Sequence, residues 1–339
     1  MRTPLYELHQ QLKAKMFEFA DWQMPLYYSS IKEEVKAVRE ECGVFDVSHM
    51  GRILMKGPSV LETLDYLTTN HVKKLNPGKV QYSMITNHQG GIVDDITLYM
   101  LDQESFMLCI NAANRKKVIN WLSKYHPVED ISDSTLQLAL QGKKSADVLS
   151  SLFPVNEIKR YNFKVFDGII VSRTGYTGED GFEIYASIKE GLEIFKELIK
   201  YAKPCGLGAR DVLRIEAGLP LYGHELSEDI TPFEANLDRF VYMDKDFLGK
   251  SAMLRREIHR KLFGLELLQR GVPREDYRIY LSDMEIGRVS SGTYSPTLDK
   301  GIALCFVDIS FRKEGLEVEL DVRGKRLKAL LRNYPFVHR

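Results

Sequence analysis

The sequence predicts an α+β chain of two or three domains, with antiparallel sheets first and an all-β barrel or sandwich last. Three observations predict it. At 339 residues the chain exceeds the size at which one hydrophobic core keeps growing. Residues 81–99, QYSMITNHQGGIVDDITLY, read as two strands around a turn, and the patterns after them complete a βββα run, which suggests a small antiparallel sheet with helices on one side. Beyond residue 261 short strand-like pieces recur at roughly 10–15-residue spacing.

Taken in order, Thr3 and Pro4 ahead of LYELHQQLKAK predict a helix capped by Thr3. Residues 19–28, FADWQMPLYY, are aromatic-rich and irregular, a composition that suits either core or a ligand surface. Over 31–42, Ile31, Val35, Val38 and Cys42 form one helical stripe, and Gly43 stops it. Residues 44–56 alternate weakly and end at Gly57-Pro58, which predicts one strand running into a turn, with a short helix over 59–67. In the hairpin, β-branched and aromatic residues flank the turn chemistry of 87–91. A strand over 105–111, a helix over 113–125, a strand over 136–141 and a helix over 143–152 follow. Strands at 164–173 and 182–186 flank a glycine-rich turn, and helices cover 192–201 and 210–219. A domain boundary falls near 240–250, followed by strands at 263–268, 286–289, 302–308, 317–322 and 326–331.

Composition narrows the function. Lys+Arg and Asp+Glu both number 47, which argues against a general nucleic-acid binder but leaves room for a local basic patch that docks an acidic protein. The four cysteines, Cys42, Cys109, Cys205 and Cys305, are scattered without metal-ligand spacing; reduced structural thiols are expected, and neither a disulfide framework nor a metal site. No apolar run approaches the ~20 residues needed to span a bilayer, and the N-terminus lacks signal and transit character. A soluble, cytoplasmic protein is expected.

Three stretches could carry chemistry. On a strand side chains alternate between faces, so Ile92, Asp94, Ile96 and Leu98 share one face and Val93, Asp95, Thr97 and Tyr99 the other. Adjacent acids arranged so cannot form an acid–base dyad; either one acts alone or both are solvated charge at a hairpin mouth. RTGYTGEDG (173–181) places Gly175, Gly178 and Gly181 three apart; it lacks the lysine of a phosphate loop and the helix of a dinucleotide turn, so it fits a tight β-turn. Glu183 beyond it could accept two parallel N–H bonds. Residues 206–236 concentrate Arg210, Arg214, Glu216, Tyr222, His224 and Glu225, with Arg210 and Arg214 on one helix face, suited to an ion-pair lattice or to carboxylate binding. His224 reads as structural or merely polar.

Six blocks then resemble one family in order over nearly the whole chain: GVFDVSHMG (43–51), QYSMITNHQGGIVDDITLY (81–99), SRTGYTGEDGFEIY (172–185), GLGARDVLRIEAGLPLYG (206–223), DFLGK (246–250) and SSGTYSPTLDKGIAL (290–304). The chain resembles the aminomethyltransferases, or T-proteins, of the glycine cleavage system. The resemblance implies a three-domain cloverleaf around a central cofactor cavity that holds tetrahydrofolate. Its domains would be 1–50 plus 136–240 (discontinuous, folate-binding), 51–135 (an inserted α+β domain) and 241–339 (a C-terminal barrel-like β domain). It implies transfer of the one-carbon unit from the aminomethylated lipoyl arm of H-protein to tetrahydrofolate, giving ammonia and 5,10-methylenetetrahydrofolate, with no nucleic acid or membrane as partner. Carried over by motif, Asp95 is the catalytic carboxylate near the folate's reactive nitrogens, looking into the cavity with Thr97 and Tyr99. Glu183 takes the amino-pyrimidine edge, Arg210 faces the benzoyl-glutamate end, Tyr82 and Asn111 line the pocket, and Tyr176 and Tyr222 are further candidates. Lys73, Lys74, Lys79 and Arg115 are candidates for gripping an acidic carrier. The chain stops soon after its last strand, where family members run on, and Arg339 is the candidate substitute for their tail; domain three also looks short by a strand or loop. A tetrahydrofolate-dependent demethylase of a small amine or thioether, and a non-enzymatic folate-binding regulator, are the alternatives on the same scaffold.

Overall fold

Residues 44–56, expected as one strand, form two strands in different sheets. A computed structural model of the chain describes residues 1–337, and in it Gly43–Asp46 and Gly51–Lys56 are separated by a buried turn. Asp46 makes the break: its carboxylate accepts the Ser48 N–H at 2.9 Å, a local side-chain bond that competes with the ladder. The first strand enters a six-stranded sheet ordered Phe163–Phe166, Ile169–Ser172, Gly181–Ser187, Thr135–Gln141, Gly43–Asp46, Lys203–Cys205. The second enters a five-stranded sheet ordered Val80–Thr86, Ile92–Asp102, Ser105–Ile110, Gly51–Lys56, Glu129–Asp130.

Other departures have equally local causes. The first helix is Tyr6–Gln11, with Leu5 rather than Thr3 at its start and no side-chain cap. Residues 19–28 are not irregular: Lys15–Phe19 pairs with Trp22–Tyr27 across Ala20 and Asp21, both at positive φ (48° and 65°). That is the two-residue turn that glycine or asparagine usually announces, and neither is present. Likewise 164–173 is a hairpin turning at Asp167-Gly168. The Ile31–Glu40 helix buries Val35 and Val38 as its stripe predicts, and the Ile188–Leu198 helix opens with a capping box of Ser187 and Glu190.

The chain divides into two compact units. The first comprises Met1–Ile85, Asp94–Arg210 and Tyr242–Phe247. Its six-stranded sheet buries Leu136, Leu138 and Phe182 against Phe195 and Leu198 of the Ile188–Leu198 helix. Tyr99, Met107 and Cys109 of the five-stranded sheet pack on Phe163 and Tyr185 of the six-stranded one. The second unit holds Thr86–Val93, Asp211–Val241 and the chain from Leu248 onward. Its strands Arg260–Leu267, Lys300–Asp308, Met284–Ser295, Arg278–Leu281, Glu317–Val322 and Lys325–Arg332 close a barrel in that order around Leu265, Ile279, Ala303, Cys305 and Leu331. Arg278–Leu281 is a strand beyond those expected, and with it the barrel is closed. Arg339 lies outside the described residues. Among the described residues no helix is long and apolar enough to cross a membrane.

Candidate active site

Strand register puts Asp95 opposite Asn111. Thr97 pairs with Cys109, so two residues further along each antiparallel strand the same ladder brings 95 to 111, where the Ser105–Ile110 strand has just ended and a 3-10 turn begins. Asn111 Nδ2 donates to Asp95 Oδ1 at 2.7 Å and to Asp94 Oδ1 at 2.9 Å. Alternation points the two side chains apart, as expected, but one amide, with two N–H bonds to give, spans both. Asp94 is fully buried and takes further bonds from the Asn111 backbone N–H (3.0 Å) and Asn114 Nδ2 (2.6 Å). Asp95 keeps partial exposure and accepts the Tyr82 hydroxyl at 3.0 Å, Tyr82 lying on the neighbouring Val80–Thr86 strand.

Electrostatics follow from that geometry. Burial and the charge of Asp95 push the Asp94 carboxyl above the usual carboxylate range, against its three amide donors. Burial also raises Asp95, against its bonds to Tyr82 and Asn111, and burial with the Asp95 charge raises the Tyr82 phenol. A part-buried carboxylate with raised proton affinity is suited to taking up a proton.

Glu183, on the Gly181–Ser187 strand, has both oxygens held: Thr174 Oγ1 donates to one at 2.6 Å and Gln137 Nε2 to the other at 3.2 Å. The glycines before it are structural. A Cβ on Gly175 would lie 1.9 Å from Gln141 Oε1, one on Gly181 would lie 2.4 Å from Gln141 Nε2, and Gly178 needs its φ of +79°. The loop folds on Gln141, so the tight-turn interpretation holds.

The two arginines of the 206–236 stretch separate. Arg214 is the lattice: its guanidinium bonds Asp211 and Glu225, each at 2.9 Å, and Ser291 at 2.8 Å, all within the second unit. Arg210 instead lies over the Tyr176 ring at 4.7 Å, and its buried Nη1 has no partner among the described residues. His49, which sequence inspection did not single out, is 3% exposed and its Nδ1 also lacks a partner among the described residues. Burial, then the charges of Arg210 and Arg52, hold its imidazole down to about 3, so it is neutral. Tyr176 lies within electrostatic reach of Tyr82, which joins the Asp95 group to the Arg210 group.

Other nominations fall elsewhere. Tyr99 does not face a ligand space; it is core, its hydroxyl 2.8 Å from that of Tyr185. Tyr222 belongs to the second unit, where its hydroxyl donates to the Ile92 carbonyl at 3.3 Å. His224 pairs with Glu275 at 3.0 Å. Gln137, Thr174 and His49 were missed because each sits in the middle of an ordinary strand or turn pattern.

An α+β chain ending in a closed barrel, with a buried and a part-buried acid linked by one amide and, among the described residues, an arginine with an unpartnered buried N–H group, is built like an enzyme that binds a small charged ligand. Two family models match it: "GCVT N-terminal domain" over residues 5–245 and "Glycine cleavage T-protein C-terminal barrel domain" over residues 260–338. An aminomethyltransferase of Aquifex aeolicus is 62% identical over 337 residues, covering 99% of this chain and 96% of the relative. One from Natranaerobius thermophilus is 42% identical over all of this chain and 98% of the relative. The crystal structure of the glycine cleavage system aminomethyltransferase T from Bartonella henselae superposes with a TM-score of 0.95 at 34% identity, covering 99% of this chain and 98% of that one. The chain belongs to the glycine cleavage T-protein family, and its activity is aminomethyl transfer in the glycine cleavage system.

Proposed function

We propose that the chain passes the one-carbon unit of an aminomethylated lipoyl arm, carried by H-protein, to tetrahydrofolate, with Asp95 as the catalytic carboxylate. The carbon–sulfur and carbon–nitrogen bonds of the donor break, the carbon becomes bonded to N5 and N10 of the acceptor, and the two displaced protons leave on the thiol and on ammonia. Tetrahydrofolate supplies the two nitrogens. Asp95 stands beside the proton that N5 must shed and stabilises the positive charge that develops there.

The observation that carries this is the state of Asp95: partly exposed, raised in proton affinity, and held by Tyr82 and Asn111 in the same unit as Glu183 and Arg210. The residues present fit the cosubstrate. Arg210 and His49 each bury a polar atom that has no partner among the described residues, which suits an anionic benzoyl-glutamate end. Glu183 suits an amino-pyrimidine edge, Tyr82, Asn111 and Tyr176 suit the pocket wall, and Tyr222 is kept as a candidate from its motif. In this reading the three domains are those of the family, at 1–50 plus 136–240, 51–135 and 241–339, and the protein works in the cytoplasm.

For the acidic carrier, Lys73 is the foremost of the four cations nominated. Arg115 is committed to Asp130 and Asp133 at 2.8 and 2.7 Å, Lys74 to Tyr242 and Lys79 to Asn162 at 3.1 Å. The test is to supply purified protein with aminomethylated H-protein and tetrahydrofolate. Stoichiometric ammonia and methylenetetrahydrofolate are expected; turnover of a methylated small amine without any carrier would favour the demethylase alternative instead.

A further inference from the structure

The side chains behind Glu183 form a polarised buried relay. Arg52 is 1% exposed, anchored on the Met50 and Ser132 carbonyls at 2.6 Å each, and its Nη1 lies 3.5 Å from Gln137 Oε1. A guanidinium only donates, so the Gln137 oxygen faces Arg52 and its NH2 must face the other way, toward Glu183 Oε1 (3.2 Å) and the Tyr185 hydroxyl (3.2 Å). On the far side Thr174 Oγ1 is 2.6 Å from Glu183 Oε2. A carboxylate only accepts, so the single Thr174 proton goes to Glu183, and the Ser172 hydroxyl, 2.7 Å from Thr174, donates in turn. Donors therefore run from both flanks toward one acid.

We propose that Gln137 and Thr174 are positioning residues for Glu183: each takes one lone pair, fixing the carboxylate plane so that the remaining lone pairs form a two-pronged acceptor for a ligand edge with two adjacent N–H donors. Such an edge is the 2-amino and N3–H side of a pterin, so the inference rests on the folate reading of Glu183 above. An unbraced glutamate rotates about its terminal torsion, which is broad, and meets such an edge with one oxygen. The braced one meets it with both, which adds geometric selection as well as affinity.

The test measures dissociation constants for tetrahydrofolate and for an analogue carrying methyl in place of the 2-amino group, with kcat at saturating folate and aminomethylated H-protein. Loss of one charge-assisted bond predicts that Thr174→Val weakens tetrahydrofolate on the order of tenfold. Its kcat stays within about twofold, Thr174→Ser restores binding, and the preference for folate over the analogue shrinks. A merely structural role would weaken both ligands alike. Gln137→Met is expected to behave as Thr174→Val does and serves if the valine variant does not fold. If both variants keep wild-type affinity and preference while Glu183→Gln loses them, the positioning role is overturned and the folate reading stands. If Glu183→Gln itself changes neither, the folate reading of Glu183 falls.

Discussion

Replacing Asn111 by alanine removes the one amide on which both acids lean. Its two N–H bonds, 2.9 Å to Asp94 and 2.7 Å to Asp95, are each worth about 1.5–3 kcal/mol to a charged acceptor. The backbone N–H of residue 111 and Asn114 still serve Asp94, so the expected loss of stability where both carboxylates are charged is about 3–5 kcal/mol. That loss depends on pH, and the sign follows from the direction of the shifts. Both acids already lie above the carboxylate range. A folded value above the unfolded one, about 3.9, contributes stability that is complete below the unfolded value and lost as pH rises through the folded one. Alanine raises both acids further, so the deficit is smaller at about pH 5 than at about pH 9, on the far side of the Asp94 value of about 8. Urea midpoints at the two pH values, read by fluorescence with Trp121 on the adjacent Arg115–Leu122 helix, measure this. Adding Asp94→Asn to the variant is expected to remove most of its pH dependence. An equal deficit at both pH values, or one below about 1 kcal/mol, refutes the shared-amide account.

Three further outcomes follow from the same structure. Arg214→Leu strands the fully buried Glu225 carboxylate and is expected to cost about 3–5 kcal/mol, seen as a lowered melting temperature that Glu225→Leu partly restores. Gly91→Ala would place a Cβ 1.7 Å from the Glu228 carbonyl oxygen, and the displaced turn should cost at least about 1–3 kcal/mol in a denaturant titration. Burial works to raise the Asp46 carboxyl, but His9 at 2.8 Å and the Ser48 N–H overcome it and hold it at about 2. That contribution, about 2 kcal/mol, is present above the unfolded value and lost as pH falls from about 4 through 2, so His9→Gln should unfold at a higher pH in an acid titration.

Much of this was legible along the chain because it is local or because its motif is long. The central hairpin, the Ile31–Glu40 helix and the barrel strands declare themselves through period and turn chemistry, and the six blocks bring Asp95, Glu183 and Arg210 forward by resemblance. Spacing could not separate Arg210 from Arg214: both lie on one helix face, and only the positions of Glu225, Ser291 and Tyr176, distant in sequence or on other segments, make one a lattice and set the other against an aromatic ring. Gln137 and Thr174 were hidden for a related reason. They reach Glu183 because the six-stranded sheet sets Thr135–Gln141 and Ile169–Ser172 on either side of Gly181–Ser187, an order that no local pattern states. The link between Asp94 and Asp95 was masked by the alternation rule, which describes where side chains leave a strand and not what a third residue can span.

Turnover of Asp95→Asn tests the account most directly. Aminomethylated H-protein and saturating tetrahydrofolate should yield ammonia about 10²–10⁴-fold more slowly than with the wild-type chain, while tetrahydrofolate binds within a few-fold of normal. Wild-type turnover in that variant would contradict the role given to this carboxylate.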